Sequence, residues 1–230
     1  VGSYVRTFDV PADWMGKRTV LHFGGIYSCA QVWLNGEFVG YSQGANNVAE
    51  FDLTPYLRQK GNRLAVQVMR WCDGSYLECQ DMFRMSGIFR DVYLYNVPTT
   101  AIRDHFVDVK FSDNYHKADI NVQLTVDGSA ADGAKAVEVK LLDAAGREVA
   151  KTQFEGIVAG KTPVVVNRAM TVQNPHLWSD ETPYLYTMHV IQRDAQGGEE
   201  MAFSTKIGMR EVKIQGSLLY VNGKRVMLKG

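Results

Sequence analysis

Alternation of apolar and polar residues with a period of two runs through most of this chain and commits it to strands. Leu64, Val66 and Val68 interleave with Ala65, Gln67 and Met69. Ile120, Val122 and Leu124 interleave with Asn121, Gln123 and Thr125, and Val137, Val139 and Leu141 with Glu138, Lys140 and Leu142. A spacing of two sends one set to a buried face and the other outward, the pattern of half-buried strands. Turn dipeptides punctuate these runs at Asn35-Gly36, Asp73-Gly74, Asp127-Gly128, Asp132-Gly133 and Asn222-Gly223, each able to supply the positive φ angles of tight hairpins. No segment sustains a 3.6-residue period over a helical length, so the fold class is all-β.

A length of 230 residues suits two domains. The expected boundary lies near Pro98-Thr99-Thr100, with one domain over 1–98 and the next over 99–213. The first part is rich in Gly and aromatics with uneven loops, whereas strands recur after it at the spacing of a β-sandwich. The final segment, SLLYVNGKRVMLKG, reads as a hairpin around Asn222-Gly223 that stops in an apolar strand. Together with a start at Val1, this gives the look of a piece of something longer, with residues 214–230 leading into a further domain. The compartment, cytoplasmic or periplasmic, stays open.

Lys+Arg and Asp+Glu both number 25, so the global charge that draws nucleic acid or anionic membranes is missing. No apolar run has the length of a helical membrane span. Cys29, Cys72 and Cys79 form no paired zinc-ligand pattern and read as free thiols, a Cys72–Cys79 bridge being the alternative. The five histidines lack ligand spacing, and His22, in TVLHFGG, reads as a hydrogen-bonded core residue. Gly40-Tyr41-Ser42-Gln43-Gly44 matches the nucleophile pattern G-x-S-x-G, but no helix signal follows it, so the strained elbow that pattern needs is absent. Trp33 and Trp71 close apolar strands and are expected in the core, while Tyr76 and Phe83 sit in loop-like sequence beside acids.

The least strand-like stretch is GSYLECQDMFRMSGIFRDV, residues 74–92. It sets Glu78, Asp81, Arg84, Arg90 and Asp91 among Tyr76, Met82, Phe83, Met85 and Phe89, a mixture hard to bury and wasteful to expose. Either the charges satisfy each other beneath a loop or one of them is aimed at a ligand. Glu78 and Asp81, three apart, could reach the roughly 5 to 5.5 Å separation of a retaining glycosidase pair, yet no second acidic constellation supports them as self-contained catalysts.

Residues 63–100, RLAVQVMRWCDGSYLECQDMFRMSGIFRDVYLYNVPTT, resemble the large lactose-cleaving β-galactosidases of glycoside hydrolase family 2. VWLNGEFVGYSQG and EFDLTPYLRQKGNRLAV are similar to that family's N-terminal jelly-roll sugar-binding domain, here shortened at its start. VQNPHLWSDETPYLYTMHV is similar to the end of its immunoglobulin-like sandwich, and IGMREVKIQGSLLYVNGKRVMLKG to the lead-in of its TIM barrel. The resemblance implies a parent that hydrolyses terminal β-D-galactosides with retention, whose catalytic glutamates and magnesium site lie on the barrel. This chain alone would then be inactive and need no cofactor. Asp81, in the QDM triplet, would contact a galactosyl hydroxyl and a sodium ion in the assembled site, with Glu78, Arg84, Arg90 and Asp91 supporting the loop. The implied partners are the β-galactoside, the chain's own barrel and further copies in a homo-oligomer, with no nucleic acid and no membrane. KTQFEGIVAGKTPVVV is shorter than the loop with which some members reach a neighbouring subunit. A stand-alone carbohydrate-binding module stacking sugar on Trp33, Tyr76 or Phe83, and a β-glucuronidase or β-mannosidase parent, are the alternatives.

Overall fold

The structure, a computed structural model, describes residues 1–78, 81 and 83–228. It is built of antiparallel strands and divides into two compact units, Val1–Thr99 and Thr100–Gly230.

The first unit holds β1 (Gly2–Phe8), β2 (Arg18–Phe23), β3 (Ile26–Tyr27), β4 (Cys29–Leu34), β5 (Glu37–Gln43), β6 (Ala49–Asp52), β7 (Asn62–Met69), β8 (Gly87–Ile88) and β9 (Val92–Val97). Two sheets, in the orders β1-β7-β4-β5 and β6-β2-β9, face each other, and β3 pairs with β8. Their inward rows supply one apolar core that includes Leu21 and Phe23 of β2, Val32 and Leu34 of β4, and Val66 and Val68 of β7. Phe51 meets Phe23 edge-on at 6.0 Å. Gly40 opposite is what admits its ring, since a Cβ there would stand 2.9 Å from Phe51. Asn35-Gly36 closes β4 onto β5 with φ of 56° and 93°, the two left-handed positions of a type I′ hairpin. The Asn35 amide also donates to the Tyr56 carbonyl at 2.8 Å and accepts from the Arg63 N–H at 2.9 Å.

The second unit holds β10 (Ala101–Ser112), β11 (Lys117–Asp127), β12 (Lys135–Leu142), β13 (Glu148–Ile157), β14 (Val164–Gln173), β15 (Tyr186–Arg193) and β16 (Glu199–Ile207). Sheets β10-β11-β14 and β13-β12-β15-β16 make an immunoglobulin-like sandwich. Alternation runs unbroken along β11, β12 and β15, where Ile120, Val122, Leu124, Val137, Val139, Leu141, Met188 and Val190 are all fully buried. Tyr186, first in β15, accepts a hydrogen bond on its hydroxyl from the His176 N–H at 2.9 Å, as in a tyrosine corner. A small sheet follows, β17 (Val212–Gln215), β18 (Leu218–Val221) and β19 (Lys224–Val226), with Asn222-Gly223 turning β18 into β19.

Three expectations change. Asp73-Gly74 is no hairpin turn: Asp73 has helical backbone angles and leads into the single turn of α1 (Gly74–Leu77). Asp127-Gly128 precedes a 3₁₀ turn at Ala130–Asp132 and Asp132-Gly133 ends it, so neither closes a hairpin itself. The hairpin between β10 and β11 uses Asp113, Asn114 and Tyr115, all at positive φ, without a glycine.

Candidate functional site

The segment from Arg70 to Asp91 leaves β7 and returns to the sheet at β8, and both ends of this excursion are held by Gly24–Ser28. At the returning end Ile26 pairs with Ile88 and Tyr27 with Gly87. The Gly24 N–H donates to the Asp91 carbonyl at 2.9 Å. Glycines are required here because the chains touch: a Cβ on Gly25 would lie 2.7 Å from Phe89 Cζ, and one on Gly24 would lie 3.0 Å from Arg90 Cβ. Arg90 Nη1 donates to the carbonyls of Gly24 and Asn46 at 3.1 and 3.2 Å, and its guanidinium stands 5.2 Å from the Phe89 ring centre.

At the departing end α1 rests on Ser75, which is 2% exposed. The Ser75 hydroxyl accepts from the Cys72 N–H at 3.1 Å and is hydrogen-bonded to the Ser28 hydroxyl, which lies 3.1 Å from Cys72 Sγ. Burial pushes the Cys72 thiol up, but hydrogen bonds from Ser28 and Ser75 outweigh it and leave the thiol below its ordinary value. Cys29, buried beneath, is pushed the other way by desolvation. Both thiols are free, and Cys79 lies outside the described residues. Arg84 folds back over α1, with Nη1 donating to the Ser75 carbonyl at 3.0 Å and Nη2 to the Glu78 carbonyl at 2.8 Å. A guanidinium presents its donors as a fork and can serve two carbonyls left open at a helix end.

Between these anchors several described residues face outward. Asp81 is exposed, Phe83 is 95% exposed and Tyr76 79%. The charges therefore do not neutralise one another: among the described residues Arg84 and Arg90 donate to backbone carbonyls and make no ion pair with Glu78, Asp81 or Asp91. Glu78 and Asp91 take part in holding the loop through their backbone carbonyls. Beside the returning end a recess of about 260 Å³ is lined by Gly2, Tyr4, Arg70, Ser86 and Gly87 among others.

Trp71 is not a core residue. It is 55% exposed, stacked on Tyr76 at 6.0 Å, with the Arg70 guanidinium 5.4 Å from its ring. The strand it seemed to end stops two residues earlier at Met69, and Arg70-Trp71 already belong to the excursion. Trp33 is half-buried and meets Phe38 edge-on at 5.6 Å. His22 is half-buried on the outward face of β2, bonded through Nδ1 to Glu50 at 2.9 Å and stacked on Tyr93 at 4.4 Å. Ser42 sits within β5 opposite Ala30, with no elbow. Among the described residues there is no group of three or more His, Cys, Asp or Glu able to hold a metal, and no helix is long and apolar enough to cross a membrane.

The Ser28–Ser75–Cys72 contacts join positions 44 and 47 residues apart, beyond the reach of any local pattern. The only local hint is Ser75 three residues after Cys72, a spacing that suits a side chain bonding back to a turn's backbone.

Over its whole length the chain is 38% identical to a β-galactosidase of Priestia megaterium, of which it spans 22%. A glycosyl hydrolase family 2 member from Bacteroides cellulosilyticus shares the fold with a TM-score of 0.89 and 25% identity, covering 99% of this chain and 31% of that one. The apo β-glucuronidase of Ruminococcus gnavus superposes with a TM-score of 0.83 and 26% identity over 99% of this chain and 39% of its own. Residues 1–98 match the sugar-binding domain of glycosyl hydrolases family 2 and residues 100–210 match the family's following domain, so the chain belongs to glycosyl hydrolases family 2.

Proposed function

We propose that this chain is the non-catalytic N-terminal part of a β-galactosidase that hydrolyses terminal β-D-galactosides with retention, and that it supplies a wall of the active site. The observation that carries the substrate class is the 38% identity, along the whole chain, to the Priestia megaterium β-galactosidase. The loop supports the role of Asp81. It is fastened at both ends, while its carboxylate and neighbouring aromatics face outward, the geometry of a preorganised contact for a ligand held from another side.

In this reading Asp81 accepts from a galactosyl hydroxyl and gives one oxygen ligand to a sodium ion. A carboxylate is a hard donor suited to such a cation, and the remaining ligands would come from outside the described residues, as would those of magnesium. Bound sodium would supply a fixed positive charge beside the sugar. The proposed remaining partners are the chain's own barrel and further copies of the parent in a homo-oligomer. The resemblance to the Ruminococcus gnavus β-glucuronidase supports a second reading with a glucuronide substrate.

Assays of the whole protein that carries this chain against p-nitrophenyl β-galactoside and β-glucuronide separate the two readings, with turnover of the galactoside expected. Greater kcat/KM on the glucuronide would overturn the substrate assignment. This chain alone should turn over neither compound. The Asp81→Asn variant of the whole protein should lose sodium dependence, and an unchanged sodium titration would remove Asp81 from the site.

A further inference from the structure

The Ser28–Ser75–Cys72 cluster has a place that the support of Arg84 and Arg90 does not explain. Ser28 lies between β3 and β4, its N–H donating to the Met69 carbonyl at 3.1 Å, so it is fixed to the last residue of β7. The two residues before it, Ile26 and Tyr27, pair with β8, where the excursion returns. One short stretch of chain therefore grips both ends of the segment that presents Asp81. Besides that backbone bond, its grip on the departing end consists of side-chain hydroxyl and thiol groups.

The hydrogen bonds form a closed circuit. The Cys72 N–H donates to Ser75 Oγ, Ser75 Oγ–H can donate to Ser28 Oγ, and Ser28 Oγ–H to Cys72 Sγ. Ser28 and Ser75 are 3% and 2% exposed, so water does not readily replace a missing partner. Arg84 then binds the carbonyls of Ser75 and Glu78, which ties Glu78, three residues before Asp81, to the position that Ser75 takes. A single turn of four residues has no helical stability of its own, so its placement depends on these contacts.

We infer that Ser28, Ser75 and Cys72 are positioning residues for Asp81, setting where its carboxylate meets sugar and sodium. The inference rests on the proposed role of Asp81. The active-site consequence is a displacement of the carboxylate, which weakens the ion and the sugar contact together while leaving the charge in place.

The test is a sodium titration of kcat/KM, alongside thermal melting, in the whole protein carrying Ser75→Ala, Cys72→Ala, Cys72→Ser or Asp81→Asn. Losing one of these hydrogen bonds should lower kcat/KM about three- to tenfold and raise the sodium half-point by a similar factor. Cys72→Ser, which keeps a hydrogen-bonding group at that position, should restore most of what Cys72→Ala loses. Asn62→Ala removes a buried amide that bonds the Arg58 backbone elsewhere in the same unit, and it should lower the melting temperature without moving the sodium half-point. If Asp81→Asn changes the sodium response while Ser75→Ala and Cys72→Ala change only melting, the positioning role is overturned and the reading of Asp81 stands. If Asp81→Asn leaves the sodium response intact, both fall. Should Ser75→Ala fail to fold, Cys72→Ala at its half-buried position decides the matter.

Discussion

The two units use the same strand alphabet to different ends. In the second, β11, β12 and β15 alternate buried and half-buried residues along their whole length, and their inward side chains close a core. In the first, the inward rows of β2, β4 and β7 do the same, but the chain leaves the sheet after Met69 and spends apolar residues outside, with Phe83, Leu77 and Tyr76 largely exposed. Apolar side chains that the local sequence could have turned inward, and that the fastened loop leaves outward, are not there for this unit's own core. The difference separates residues that make the fold from residues that the fold presents.

The largest expected effect tests that separation directly. Leu124→Ala empties a fully buried position in the regular core and should cost about 2 to 5 kcal/mol, a large share of the roughly 5 to 15 kcal/mol that holds a domain together. Phe83→Ala, a larger truncation in the loop, should change stability by less than about 0.5 kcal/mol because its ring contributes little burial. Urea unfolding of this chain measures both. Comparable losses would mean that the loop aromatics support the fold and that the contrast between presenting and packing is false.

Next in size is the loop's own chemistry. In the whole protein Asp81→Asn should lower kcat/KM by about ten- to a hundredfold, since hydrogen bonds to charged groups are worth roughly 1.5 to 3 kcal/mol, and it should leave the melting temperature nearly unchanged. Glu78→Gln should cost clearly less, because Glu78 holds the loop through its backbone carbonyl, which the substitution retains. Equal losses in the two variants would make the stretch a general acidic surface.

A smaller effect compares two glycines. Gly25→Ala would push a methyl to 2.7 Å from Phe89 Cζ, and relieving that contact should cost about 1 to 3 kcal/mol. Gly160, in the second unit, has nothing within 4 Å of its would-be Cβ and no positive φ, so Gly160→Ala should be neutral or slightly stabilising, by up to about 1 kcal/mol. Melting curves of the two variants test whether the close approach at Gly25, where the loop is gripped, needs a glycine.

How much of this was legible follows the same division. Alternation named the strands of both units, and Asn35-Gly36 and Asn222-Gly223 named their hairpins, because period and turn chemistry are local properties. Asp73-Gly74 misled because its consequence depends on Ser75 finding Ser28, which no neighbouring residue reveals. Trp71 misled for a related reason: the apolar run seemed to continue, but the chain had already left the sheet. Asp113, Asn114 and Tyr115 take left-handed angles without glycine, with the Tyr115 hydroxyl held by Glu211 at 2.8 Å across 96 residues. Residue chemistry marks Asp81 only as one of several charges in the least strand-like stretch, and family resemblance alone chooses it among them, since periodicity says nothing about an exposed acid.

The smallest effect concerns a carboxylate that the fold itself uses. Asp143, in the turn between β12 and β13, accepts on Oδ1 from the N–H groups of Ala145 and Arg147, each at 2.9 Å, and on Oδ2 from Arg147 Nε at 2.8 Å. The Arg147 backbone N–H is the main influence and the Arg147 guanidinium the next, and together they hold the Asp143 carboxyl below its ordinary value. A folded-state value below the unfolded one makes the stabilisation complete above the unfolded value of about 3.9 and removes it as pH falls through the folded value. The stability difference between the native chain and Asp143→Asn should therefore be level near neutrality and shrink as pH drops below about 4. Melting temperatures of the two proteins measured in parallel from pH 7 to pH 2 check this. Curves that stay equally far apart at the acid end would mean that the turn values the shape of residue 143 and not its charge.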